Sequence, residues 1–183
     1  MVTLEQIKNI MQYGSKEEKI KTLEGTTNLA DPKVLETIIA LFDDPDIELR
    51  GEAFSALLLN SNDISETLLY SLKNQSKNIR GYCTLVLANR NEKKAIPKMI
   101  QLTQDESAMV RSCAVGALGF LRADEALTAI QKCLDDANIE VKKSAIKSAI
   151  DIKDKSLLTK IDILSHQNDP EISNLLILAR NNL

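Results

Sequence analysis

Catalysis needs nucleophiles, acid–base groups or metal ligands held at fixed spacing, and this sequence offers few of them. His166 is the single histidine and stands at the end of an expected helix, followed by Gln167. A lone histidine beside a loop reads as a surface or capping group. Cys83, Cys113 and Cys133 are odd in number, lack CxxC spacing and fall inside expected helices, so they read as reduced, buried thiols. The carboxylate pairs Asp43-Asp44 and Asp135-Asp136 sit in turns, where solvated helix caps are their ordinary use. No Ser-His-Asp set, glycine-rich phosphate loop or metal-ligand cluster can be assembled. The reading is therefore of a protein that is not an enzyme and carries no cofactor. The one recurring polar set is a row of arginines, Arg50, Arg80 and Arg111, with Asp44, Asn74 and Asp105 six residues before them. Such a row could bind anions. The reading preferred here is structural, with Asp or Asn of one loop and Arg of a helix start forming a hydrogen-bonded ladder between neighbouring repeats.

That row marks an internal repeat. With Arg111 as anchor, the equivalents are Arg50, Arg80, Lys142 and Ser173, at successive separations of 30, 31, 31 and 31 residues. The column before the anchor reads Leu49, Ile79, Val110, Val141, Ile172. Three after it stand Ala53, Cys83, Ala114, Ala145, Leu176, and seven after it Leu57, Leu87, Leu118, Ala149. This spacing places them on one side of a 3.6-residue helix. Six after the anchor lies a small-residue column, Ala56, Val86, Ala117, Ser148, Ala179, expected to face a neighbouring helix at close range. A second apolar pattern follows, Leu69, Met99, Ile130, Ile161 and then Leu72, Leu102, Cys133, Leu164; one period back, Ile38 and Leu41 fill the same columns behind Lys19. The unit is a helix pair, and five to six pairs fill the chain. One pair cannot bury its own apolar faces, while stacked pairs share a continuous core.

These columns resemble HEAT-like repeats of the short kind, about 31 residues long, found in bacterial and archaeal proteins. The resemblance is carried by Asp44-Pro45-Asp46-Ile47-Glu48-Leu49-Arg50 with Ala53, by Val110-Arg111 with Ala114, and by Val141-Lys142 with Ala145. It implies an all-α fold, a right-handed α-solenoid. Relatives serve as scaffolds, as chromophore-lyase subunits and in a few enzymes. The HEAT-like metal hydroxylases similar to deoxyhypusine hydroxylase hold iron with several His-Glu pairs, and this chain has none. The HEAT-like DNA glycosylases rely on aromatic and basic residues in the groove. Here there is no Trp, aromatics are 3% and the net charge is −3, which argues against nucleic acid as partner.

The unbroken repeat predicts a single domain over 1–183, with 1–30 as an atypical N-terminal cap repeat. Helices are expected at 1–12, from Lys16, and at 32–42, 46–60, 63–73, 77–90, 93–103, 107–121, 124–134, 138–152, 155–165 and 170–181, with Asp, Asn, Ser and Pro at the breaks. The N-terminus lacks the basic and apolar regions of a secretory signal, and no apolar run reaches membrane-spanning length. Reduced thiols suit a cytoplasmic protein, and a monomer is expected.

Function rests on the helix face opposite the core. Positions 1, 5 and 8 after the anchor read Gly51, Ser55, Leu58; Gly81, Leu85, Ala88; Ser112, Gly116, Gly119; and Lys143, Lys147, Ile150. A solvent face usually carries Lys and Glu, whereas the first three sets offer glycine, serine and leucine. Glycine inside a helix costs roughly 1 kcal/mol relative to alanine, so close approach by something else is a reasonable motive. In solenoids these second helices line the concave surface, and Tyr82, Asn89, Arg90 and Phe120 are expected to edge it. The expected function is a protein-binding module that holds a partner helix or peptide there. The alternative is a lyase-type or chaperone-like subunit resembling the phycobilin lyases built from this repeat.

Overall fold

The computed structural model describes residues 3–153, 155–157 and 169–182, and every regular element among them is helical. Several helices begin where a short polar side chain satisfies the free N–H groups of the first turn. Thr3 with Gln6 and Ser15 with Glu18 form reciprocal capping boxes for α1 (Leu4–Tyr13) and α2 (Lys16–Glu24). Asp31 caps α3 (Pro32–Ala40), whose first residue is proline. Asp46, Ser76 and Asn138 cap α4 (Ile47–Leu58), α6 (Lys77–Asn89) and α10 (Ile139–Ile152). Between these lie α5 (Ser65–Ser71), α7 (Ile96–Leu102), α8 (Ala108–Phe120) and α9 (Leu127–Cys133), and the last described helix is α11 (Pro170–Asn182). The fold is an all-α solenoid of helix pairs. The expected helix 155–165 opens as a 3-10 turn, Lys155–Leu157. Ile161, Leu164, His166 and Gln167 lie outside the described residues.

Contacts divide the chain into two compact units, one through Arg90 and one from Asn91 onward. In the first, α1, α3 and α5 form one layer and α2, α4 and α6 a second. In the second, α10 packs against α8 and α11, with α7 and α9 behind. The residue columns that define the repeat form the core: the residues one before the anchor and three, six and seven after it are all buried. Leu69 alone among the described residues of the second apolar pattern is half-buried.

The helices α6, α8 and α10 are each followed by a left-handed residue, Asn91 (φ 57°), Arg122 (φ 50°) and Lys153 (φ 62°), each eleven after an anchor. At Arg122 the geometry is a Schellman motif: its N–H donates to Gly119 O (2.9 Å) and the Ala123 N–H to Leu118 O (3.1 Å). The buried Ala123 side chain supplies the apolar contact of that motif.

Candidate partner-binding face

The arginine row folds into the loops. Nη1 of Arg50 donates to the carbonyls of Asp44 (2.7 Å) and Pro45 (3.2 Å). Arg80 reaches Asn74 and Gln75 (both 2.8 Å), and Arg111 reaches Asp105 (2.9 Å) and Glu106 (3.2 Å). The rest of the Arg111 guanidinium takes the next loop's carboxylate, with Nε 2.7 Å and Nη2 2.9 Å from the two Asp136 oxygens. Lys19 stands 3.5 Å from Asp44 at the same separation of 25 residues. So Arg111 uses the backbone carbonyl of Asp105 and pairs with the carboxylate one repeat further on. At Arg111 the ladder expected between neighbouring repeats therefore runs to a carboxylate 25 residues after the arginine, and the position six before it supplies only a carbonyl. A bidentate Arg–carboxylate pair is a strong charge-assisted bond. It holds the Asp136 carboxyl below its usual range.

The stripe opposite the core is less uniform than its spacing suggested. Gly51 and Ser55 are exposed, while Leu58, Leu85, Ser112 and Gly116 are half-buried and Gly81 is buried. A Cβ built on Gly51 or Gly116 meets nothing within 4 Å. On Gly119 it would lie 2.5 Å from Ser148 Cα, so that glycine serves the packing of α8 on α10. Ala88, at the same offset, is 1% exposed. The eighth position therefore turns into the stack, and the ninth, four residues beyond the fifth and so above it on the helix, stays outside. It carries Leu59 (69% exposed), Asn89, Phe120 (60% exposed) and Asp151. Leu59 was missed by the sequence reading, and the column Leu59, Asn89, Phe120 was the signal that could have found it.

Two edge residues have work inside the fold. Tyr82 stacks on buried Phe42, ring centroids 4.9 Å apart and planes at 24°. Arg90 crosses to the end of α4, its Nη1 donating to Leu57 (3.2 Å), Leu58 (3.2 Å) and Asn60 (2.7 Å) and its Nη2 to Asn62 (2.7 Å). It satisfies the free carbonyls of a helix C-terminus. Asn89 is exposed and donates to Leu85 O (2.9 Å), and Ser112 shares a 2.8 Å bond with Ser144. In the fourth set, Lys143 is buried among Glu140 (3.1 Å), Asp169 (3.3 Å) and Glu171 (2.9 Å), and Lys147 reaches Glu171 at 3.1 Å. That end of the stripe is tied to α11 by ion pairs.

Burial pushes the Cys83 thiol up to about 12 and those of Cys113 and Cys133 up to about 11, which leaves them protonated and poor nucleophiles. Among the described residues no group of His, Cys, Asp or Glu could hold a metal ion, and no helix is long and apolar enough to cross a membrane.

A family model of HEAT repeats matches residues 65–174. No curated protein matches. Among solved structures, the chain is similar to one in the complex of CpcE and CpcF of phycocyanin lyase from Nostoc sp. PCC7120, with TM-score 0.72 and 20% identity over 82% of this chain and 99% of that one. It is similar to computationally designed armadillo repeat proteins for modular peptide recognition, with TM-score 0.62 and 19% identity over 99% and 100% of the two chains. A designed armadillo repeat protein in complex with the peptide (KR)4 gives TM-score 0.58 and 18% identity over 98% of each. At these identities the likeness is one of fold. The recurring anchor, its buried columns and the family match together place this chain in the HEAT-repeat family.

Proposed function

We propose that this protein is a non-enzymatic, cytoplasmic binding module that holds a helix or peptide of another protein on the exposed face of its second-helix layer. The observation that carries the reading is the contrast among glycines. Gly119 is required by its neighbour Ser148, whereas a Cβ on Gly51 or Gly116 would enter open space, so neither has such a reason inside the chain. Each lowers helix stability by roughly 1 kcal/mol where alanine would fit, so their use points to a surface that approaches from outside. Beside them lie Leu85, Leu58 and Leu59 in the first unit and Phe120 in the second, apolar groups open to water in whole or in part. The designed peptide binders and the two-protein lyase complex among the structural neighbours support a protein as partner.

Affinity capture from the native cell, followed by mass spectrometry, tests this. A partner retained by the wild type and by Lys132→Ala, but lost from Gly116→Glu and Phe120→Asp, is the expected result. Equal retention by all four ends the proposal. The likeness to the phycocyanin lyase complex favours one second reading, a lyase-type subunit. A bound linear tetrapyrrole, seen as visible absorbance of the purified protein, together with a co-purifying second HEAT chain, decides for it.

A further inference from the structure

On the other layer of the first unit, α3 and α5 part enough to leave a cleft of about 540 Å³. The size is that of an ordinary ligand pocket. Its floor is buried Ile39 and Ile79, and one wall is Tyr70, which is 75% exposed. A smaller hollow of about 320 Å³ adjoins it and shares Glu36 and Tyr70, with Glu66 and Thr67 completing the lining. Every charged group around that hollow is a carboxylate. Glu36 is exposed on α3, and its carboxylate makes no hydrogen bond or ion pair among the described residues. Glu66 lines the hollow and has an interaction of its own, so Glu36 is the carboxylate left for a ligand. An aromatic face beside negative charge and above an apolar floor attracts a cation carried on an aliphatic stem. A planar guanidinium also stacks on a ring, which an ammonium does not.

We propose that this cleft docks an arginine-bearing peptide segment of a partner protein, with the guanidinium on the Tyr70 ring beside Glu36 and the flanking apolar side chains over Ile39 and Ile79. Lys73 lines the larger cleft and is exposed, so it is the competing cation within the chain. The site is separate from the second-helix face and does not depend on it.

The test is a titration of the full chain with acetylated, amidated Gly-Leu-Arg-Leu-Gly, followed by the amide NMR signals of Glu36, Thr67 and Tyr70. Saturable shifts confined to these and their neighbours are expected. Tyr70→Leu and Glu36→Gln should each weaken binding about fivefold, and Lys73→Ala should tighten it. Tyr70 and Glu36 are exposed, so both variants should melt with the wild type. Leu85→Glu, on the other face, should leave this binding unchanged even if it abolishes capture of a partner there. The proposal is overturned if the citrulline version of the peptide binds equally well, if the shifts appear at Gly51 and Leu85, or if no saturable shift occurs.

Discussion

Gly116 and Gly119 sit three residues apart on one helix and do opposite jobs. Gly119→Ala drives a methyl group into the Ser148 backbone and should cost about 1–3 kcal/mol in a denaturant melt. Gly116→Ala meets empty space and should stabilise the free protein by about 0.5–1 kcal/mol while weakening a partner that approaches there. If Gly116→Ala destabilises, the open-face argument fails. Arg111 offers a second measurement at this scale. Arg111→Ala removes the bidentate bond to Asp136 and two carbonyl bonds, a loss of about 1–3 kcal/mol. The pair also fixes a pH dependence. Because the folded Asp136 carboxyl titrates below its ordinary value, its stabilisation is complete above about pH 4 and is lost as pH falls through the depressed value. Melts of the wild type and of Arg111→Ala should therefore converge in acid and separate near neutrality. A constant gap across that range contradicts a stabilising ion pair.

At the scale of the element, the second helices end on a backbone device that the side chains do not announce. Left-handed termini are usually glycine, but here Asn91, Arg122 and Lys153 hold them. Arg122→Gly relieves that conformation and should raise stability by about 0.5–1 kcal/mol, less whatever the freer unfolded chain takes back. An unchanged or lowered melting point would mean that the Arg122 side chain contributes something the backbone argument omits. The core columns were legible in the sequence because a buried position tolerates only apolar or small groups, so Val110, Ala114 and Leu118 recur in kind. The left-handed ends were not, because φ leaves no fixed residue type once glycine is absent. The stripe opposite the core was legible only in part. Gly51, Ser55 and Phe120 stay outside as expected, but Gly119 and Ala88 turn inward, since the neighbouring helix decides which edge of the stripe is covered. Tyr82 and Arg90 read as rim residues from spacing alone, and their partners Phe42 and the end of α4 lie more than thirty residues away in sequence.

For the whole molecule, stacked pairs make stability a sum of nearest-neighbour terms, so position along the stack sets the cost of a change. Leu118 is fully buried, and Leu118→Ala should cost about 2–5 kcal/mol, whereas Leu4 is 44% exposed on the first helix and its replacement by alanine should cost well under half of that. Equal losses would contradict the repeat-by-repeat picture. The functional expectation has the same logic, because each unit carries its own exposed apolar group on the second-helix face. Leu85→Glu in the first unit and Phe120→Asp in the second each place a carboxylate where a partner would have to bury it unpaired, which should weaken binding by roughly 2–4 kcal/mol. Phe120 is open to water, so Phe120→Asp should leave the free protein's melting unchanged. Leu85 is half-buried, so its variant should also lose some stability, and its binding must be compared at a temperature where both proteins are folded. Lys132 lies exposed on α9, a first helix of its pair, and Lys132→Glu should bind as the wild type does. A partner captured equally by Phe120→Asp and by wild type would remove the second unit's face from the binding surface. One lost equally on Lys132→Glu would show that net charge governs the interaction and that apolar contact does not.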